Sequence, residues 1–283
     1  MSKKRICLTK LASADGLPQA ALVDARSYSR FKHGDAATAR RFAVALAALA
    51  ARRLDERPVL VTTSAFALVP PAAYSLLIPF VQHLQLLRPD LEVGTFRITR
   101  RGVSNGDYSR MTPEDRRASI GAGDLTPERD ITGAVVLALD DIRVTGNHER
   151  AMDRCLTEAG VAEVRHLYVV DAAGFADCPQ IESVLNEAAI DGAADLLEIA
   201  AERRFVPNAR LCRRVLSLPA DEVRRFVDGV QPELLGWLSA AIEHDGLARV
   251  PAYEKRVHTW ESVLAEHRGN RLVTEPDAEA VTG

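Results

Sequence analysis

The run Gly133-Ala134-Val135-Val136-Leu137-Ala138-Leu139 is apolar at every position and ends in two acids, Asp140-Asp141. A strand with one face in water alternates apolar and polar residues. This one does not, which predicts a strand covered on both faces at the centre of a parallel sheet. Burying two unpaired carboxylates together costs several kcal/mol. The aspartates are therefore expected at the strand's carboxyl end, where open α/β sheets bind ligands. Thr145-Gly146 then open a helix from about Asn147 to Ala159, ended by Gly160. A helix N-terminus offers N–H groups and positive potential, which suit phosphate, and Gly146 lets backbone approach a ligand closely. Carboxylates beside a phosphate cradle fit a ligand that carries both hydroxyls and phosphate, such as a ribose 5-phosphate. The plainer reading of the same residues is a strand end whose aspartates face water, with Thr145 or Asn147 capping the helix.

The flanking sequence supplies an α/β context. Val164 to Val170 reads as the next strand, completing a βαβ unit. Upstream, Asp35 is placed to cap a helix over Ala36 to Leu54, Val59 to Thr63 reads as a buried strand, Ala72 to Leu87 as a helix and Leu91 to Ile98 as a strand. Residues 1–35 are mixed and turn-rich and hold the cluster Tyr28-Ser29-Arg30-Phe31-Lys32-His33-Gly34-Asp35. Residues 99–130 form a polar, glycine-containing loop, and Arg97–Arg117 carries a local excess of three positive charges. A loop that long inside a compact domain is usually functional. After about Asp171 the strand signal fades and residues 178–267 read as several short helices. The expected division is an α/β domain over 1–175, a helical region over 176–267 and a flexible tail over 268–283.

The stretch Leu139-Asp140-Asp141-Ile142-Arg143-Val144-Thr145-Gly146-Asn147-His148 resembles the phosphoribosyl-diphosphate (PRPP) signature of type I phosphoribosyltransferases. There an apolar strand runs into two acids, a small or apolar pair, a Thr-Gly turn and a helix. The resemblance implies that Asp140 and Asp141 are the catalytic acids, holding the ribose 2′- and 3′-hydroxyls. It places Arg143, Val144, Thr145, Gly146, Asn147 and His148 around the 5′-phosphate. It also implies Mg²⁺ held mainly through PRPP, with no direct protein ligand. Four residues depart from the family pattern: Arg143 stands where an apolar residue is usual, Asn147 where a small one is, and Val144 and His148 differ as well. His148 replaces a hydroxyl residue, leaving an imidazole N–H as the substitute donor. Val144 replaces an acid that purine-salvage members set near the base, so the acceptor does not follow from that branch.

By position, the basic loop matches the family's lid, which excludes water from an oxocarbenium-like centre. Its Arg100, Arg101, Arg110, Arg116 and Arg117 are candidates to meet departing diphosphate, with a solvated charged loop as the alternative. Thr63 and Ser64 occupy the slot of the family's diphosphate loop or simply end a strand. Tyr28, Arg30 and Lys32 are candidates for base recognition in an N-terminal hood, against a plain surface turn. This cluster and the divergent motif are similar to a subgroup encoded beside bacterial tellurium-resistance genes. The resemblance therefore implies transfer of 5-phosphoribosyl from PRPP to a base-like nitrogen acceptor, by a protein for which homodimers are common. The alternative is a non-catalytic PRPP- or nucleotide-sensing regulator on the same fold.

Composition narrows the remaining classes. With 36 basic and 39 acidic residues the net charge is −3, which argues against a general polyanion binder and makes nucleic acid an unlikely partner. The arginine pairs at 203–204, 213–214 and 224–225 read as a solvated helical surface, and Trp237 and Trp260 as core anchors. Pro58 to Leu87 lacks Asp, Glu, Lys and Arg but is broken by prolines and polar residues, which suits a strand, a loop and a helix rather than a membrane span. Cys7, Cys155, Cys178 and Cys212 form no CxxC pair, pointing to a reducing cytoplasm.

Overall fold

The computed structural model describes residues 3–13, 16–17, 21–100 and 125–274. Its centre is a five-stranded sheet, all parallel, built from β1 (Lys3–Lys10), β2 (Val59–Thr63), β3 (Val93–Thr95), β6 (Val135–Arg143) and β7 (Glu163–Asp171) in the spatial order β1-β7-β6-β2-β3. The short strands β4 (Ile98–Arg100) and β5 (Leu125–Pro127) pair antiparallel beside it. The apolar run that opens β6 is buried on both faces. Leu137 and Leu139 pack with α2 (Ala36–Ala51) and α3 (Leu77–Leu87). Val136 and Ala138 pack with α4 (Asn147–Glu158) through Met152, Cys155 and Leu156.

This arrangement fixes where a ligand belongs. From β2 the chain crosses by α3 to β3 on one side, and from β6 it crosses by α4 to β7 on the other. The two crossover helices thus lie on opposite faces and diverge between β2 and β6. That gap is a topological switch point, the crevice in which such sheets take ligands at the strands' carboxyl ends.

Several elements differ from the sequence expectation. The first 35 residues are not mainly turns. They supply β1, an edge strand beside β7, and the helix α1 (Ala25–Lys32), capped reciprocally by Asp24 and Ser27. The segment 91–98 is divided between β3 and β4. The charge-free segment forms β2, a 3-10 turn over Ala72–Leu76 and α3. Asp35 caps α2 by accepting from the Thr38 N–H at 2.8 Å.

The helical region comprises α5 (Ile181–Glu187), α6 (Ala193–Ala200), α7 (Ala209–Leu216), α8 (Ala220–Gly229), α9 (Pro232–His244) and α10 (Glu254–Thr274). It has its own core around Phe226, Leu238 and Trp260, with Trp237 packed partly buried against it. Helix α10 runs on to Thr274, so residues 268–274 continue a helix where a tail was expected. Polar contacts dock this region on the sheet domain. Arg30 pairs with Glu198 and Glu202 at 2.8 and 2.6 Å. The Ala209 N–H donates to the Pro70 carbonyl at 2.9 Å, and the Val206 N–H to the Gly34 carbonyl at 3.0 Å. Gly34 has φ 108°, and a Cβ there would meet the Phe205 ring at 2.6 Å, so only glycine fits this seam. Among the described residues no helix is long and apolar enough to cross a membrane.

Candidate functional site

A cleft of about 410 Å³ opens at the switch point, between the carboxyl ends of β2 and β6 and the helical region. Its floor comes from a mismatch in strand length. β6 pairs with β2 only as far as Thr63↔Leu139, but with β7 as far as Arg143↔Asp171. The strand does not stop at the aspartates as expected. It overhangs β2 by four residues because β7 is equally long, and the overhang exposes Asp140 and Asp141 to the cleft.

Successive strand residues point to opposite faces, so the two carboxyls have different neighbours. Asp140 Oδ1 accepts from Ser64 Oγ at 2.6 Å and from the Asp141 N–H at 2.9 Å. Burial and then the adjacent Asp141 charge push the Asp140 carboxyl well above the usual carboxylate range. Asp141 Oδ1 accepts from the Ile142 N–H at 2.7 Å, and its Oδ2 is bonded to Lys32 Nζ. Burial alone would raise Asp141, but the Lys32 ammonium outweighs it and holds the group below the usual range.

The turn after β6 forms the second feature. Gly146 is left-handed (φ 69°, ψ 15°) and is the N-cap of α4, with no side-chain capping bond. Neither Thr145 nor Asn147 caps the helix. Thr145, Gly146, Asn147 and His148 line the cleft at the start of α4. Val144 also lines it, although it is 5% exposed. Two arginines flank the glycine. A Cβ on Gly146 would lie 3.3 Å from Arg150 Nη1 and 3.8 Å from Arg143 Nε. Arg143 forms ion pairs with Glu149 at 3.2 Å and with Asp171 at 3.3 Å. Glu149, buried in the first turn of α4, also accepts from Arg5 at 2.8 and 2.6 Å and from the Tyr168 hydroxyl at 2.9 Å. An acid at this point would repel an anion. Arg5 and Arg143 offset its charge, so the turn keeps its positive potential.

The other expected residues divide. Ser64, Arg100 and Lys32 line the cleft. Thr63 is buried under it, its hydroxyl on the Ser64 carbonyl at 3.4 Å. Arg101, Arg110, Arg116 and Arg117 lie outside the described residues. Tyr28 is fully buried in α1, and its hydroxyl has no partner among the described residues. Arg30 turns toward the helical region. Neither Tyr28 nor Arg30 lines the cleft, and the N-terminal cluster is a packed helix rather than a surface turn.

The opposite wall comes from the helical region, through Glu182, Arg210, Arg213, His244 and Asp245. Sequence reading missed these residues. Arg213 had been assigned to a solvated surface, yet its side chain is 13% exposed and lies 3.7 Å from Asp245. Burial raises the Asp245 carboxyl, against the lowering effect of Arg213. Among the described residues no three His, Cys, Asp or Glu side chains are grouped so as to hold a metal ion.

The family described as PRTase ComF-like matches residues 6–248. A comparison with curated proteins found no match. Solved structures similar to the chain include a hypoxanthine phosphoribosyltransferase from Staphylococcus aureus, at 12% identity and TM-score 0.34, covering 48% of this chain and 64% of that one. A hypoxanthine-guanine phosphoribosyltransferase from Bacillus anthracis, with a HEPES molecule in its active site, has 12% identity and TM-score 0.35 over 50% and 72%. The chain thus spans less than two thirds of the first of these.

Proposed function

The chain belongs to the PRTase ComF-like family, and from that premise we propose that it transfers 5-phosphoribosyl from PRPP to a base-like nitrogen acceptor, releasing diphosphate. The observation that carries the reading is the pairing, in one cleft, of two adjacent carboxyls on the β6 overhang with an uncapped helix N-terminus behind a left-handed glycine. Asp140 and Asp141 accept from the ribose hydroxyls. The amides from Gly146 to His148, with Arg143 and Arg150 beside them, hold the 5′-phosphate. Ser64 and Arg100 are the groups nearest to meet diphosphate across the cleft. The acceptor sits against the wall of Arg210, Arg213, His244 and Asp245.

In the reaction the sugar C1–O bond to diphosphate breaks, a C1–N bond to the acceptor forms, and the acceptor nitrogen loses a proton. Positive charge develops on the sugar and negative charge on the leaving group. The protein stabilises both by groups already in place rather than by a covalent nucleophile. Mg²⁺ held mainly through PRPP would supply charge neutralisation at the diphosphate, with no side chain of this chain as its direct ligand.

One observation favours a second reading, a PRPP- or nucleotide-sensing protein without turnover. Val144, buried in the loop, leaves that position without an acid toward the acceptor. Diphosphate release from Mg²⁺–PRPP, followed over a panel of nitrogen heterocycles, separates the two. Release with one acceptor supports transfer. PRPP binding without release across the panel supports sensing.

A further inference from the structure

The acidic pair is asymmetric in a way the PRPP signature does not dictate. Lys32 comes from the last turn of α1, and its side chain is 6% exposed. Its Nζ is bonded to Asp141 Oδ2 and lies 4.0 Å from Glu182 Oε1 on α5. One buried ammonium therefore joins α1, the β6 overhang and the helical region. Asp140 has a neutral partner instead, the Ser64 hydroxyl at 2.6 Å. Two carboxyls on successive residues cannot both ionise cheaply in a partly desolvated cleft. The charge settles on whichever member has the cation.

We propose that Lys32 is a positioning residue: its ammonium fixes the Asp141 carboxylate as the standing charge of the acidic pair, so that the sugar hydroxyls meet a preset acceptor there. The charged and titratable groups around Asp141 are Asp140 on β6, Lys32 and Tyr28 on α1, Glu182 on α5, and Arg210 on α7 across the cleft. Burial disfavours ionisation of Asp141, a side-chain hydrogen bond with Asp140 favours it, and the buried Tyr28 is neutral. Lys32 is the cation in contact with the carboxylate. Its bond leaves the other Asp141 oxygen on the Ile142 N–H at 2.7 Å. That geometry fixes the plane of the carboxylate as well as its charge.

The inference rests on the cleft being the PRPP site, so its test carries a readout that needs no ligand. Carboxyl ¹³C resonances are titrated in the native protein, in Lys32→Met and in Lys32→Arg, with Asp141→Asn to assign the signal. Thermal melting confirms that each variant is folded. In the native protein Asp141 titrates below an ordinary aspartate. In Lys32→Met its midpoint rises by about one pH unit or more, and Lys32→Arg restores it. Mg²⁺–PRPP affinity falls about tenfold at pH 7 in Lys32→Met, because the carboxylate is no longer held in plane, and is retained in Lys32→Arg. An ordinary Asp141 titration in the native protein overturns the proposal. So does tighter PRPP binding by Lys32→Met, which would make Lys32 a competitor of the sugar. If the native protein binds no PRPP, the reading of the cleft fails while the titration still decides the role of Lys32.

Discussion

Ser64 Oγ donates to Asp140 Oδ1 at 2.6 Å, joining the residue after β2 to the overhang of β6 across the switch point. The contact spans the gap that the strand order opens, and it helps to orient the first acid of the pair. Ser64→Ala removes it. Asp140 does not carry the standing charge of the pair, so the bond is worth about 0.5–1.5 kcal/mol and Mg²⁺–PRPP affinity falls by up to about tenfold at pH 7. Loss of the donor also pushes the Asp140 carboxyl further up, so less of it is ionised at neutral pH. Calorimetric titration at pH 7 and about pH 9 should show part of the affinity returning at the higher pH. An equal loss at both would mean that Ser64 acts by touching the ligand directly.

Glu149 gives a prediction about stability. Burial would raise its carboxyl, but hydrogen bonds from Arg5 and Tyr168 bring it down to about 2. The unfolded chain takes up this proton near 4.5. Its contribution is therefore complete above pH 4.5 and lost as the pH falls toward 2. Glu149→Gln should lower unfolding free energy by about 2 kcal/mol at pH 7, with the half-exposed Arg5 side limiting the effect. Denaturant melts of the two proteins should converge only as the pH reaches about 2. A difference constant with pH would show that packing, not charge, is what Glu149 supplies.

Gly146→Ala tests the phosphate cradle. A side chain at φ 69° costs about 1–2 kcal/mol, and its Cβ would sit 3.3 Å from the exposed Arg150 guanidinium, which can swing away. The protein should fold with that modest loss. Affinity for ribose 5-phosphate should fall at least about tenfold, while inorganic diphosphate binds as before. Unchanged ribose 5-phosphate affinity would place the cradle elsewhere.

The parts of the fold that were legible in the sequence are those whose signal is local. The apolar run into Asp140-Asp141, the Thr145-Gly146 turn and the following helix and strand each stand on a handful of neighbouring residues, and the structure joins them as β6, α4 and β7. The first strand was hidden because it lies at an edge and mixes charge with its apolar residues. Arg5 within it is spoken for by Glu149, 144 positions away. Helix α1 was hidden because its inward face carries polar groups satisfied at long range, as Ser29 is by the Asn186 carbonyl at 2.6 Å. The extent of β6 depended on the length of β7, which no window around the aspartates contains. Arg213 and Asp245 reach the cleft only through the docking of the helical region, so their solvated appearance in the sequence was a consequence of reading each helix alone.

The central claim is that the paired aspartates and the α4 N-terminus form one PRPP site. Calorimetry of Mg²⁺–PRPP with the native protein and with Asp140→Asn/Asp141→Asn tests it most directly. The account predicts saturable binding to the native protein, lost in a variant that still melts cooperatively. Equal binding by both proteins, or none by the folded native protein, would contradict it.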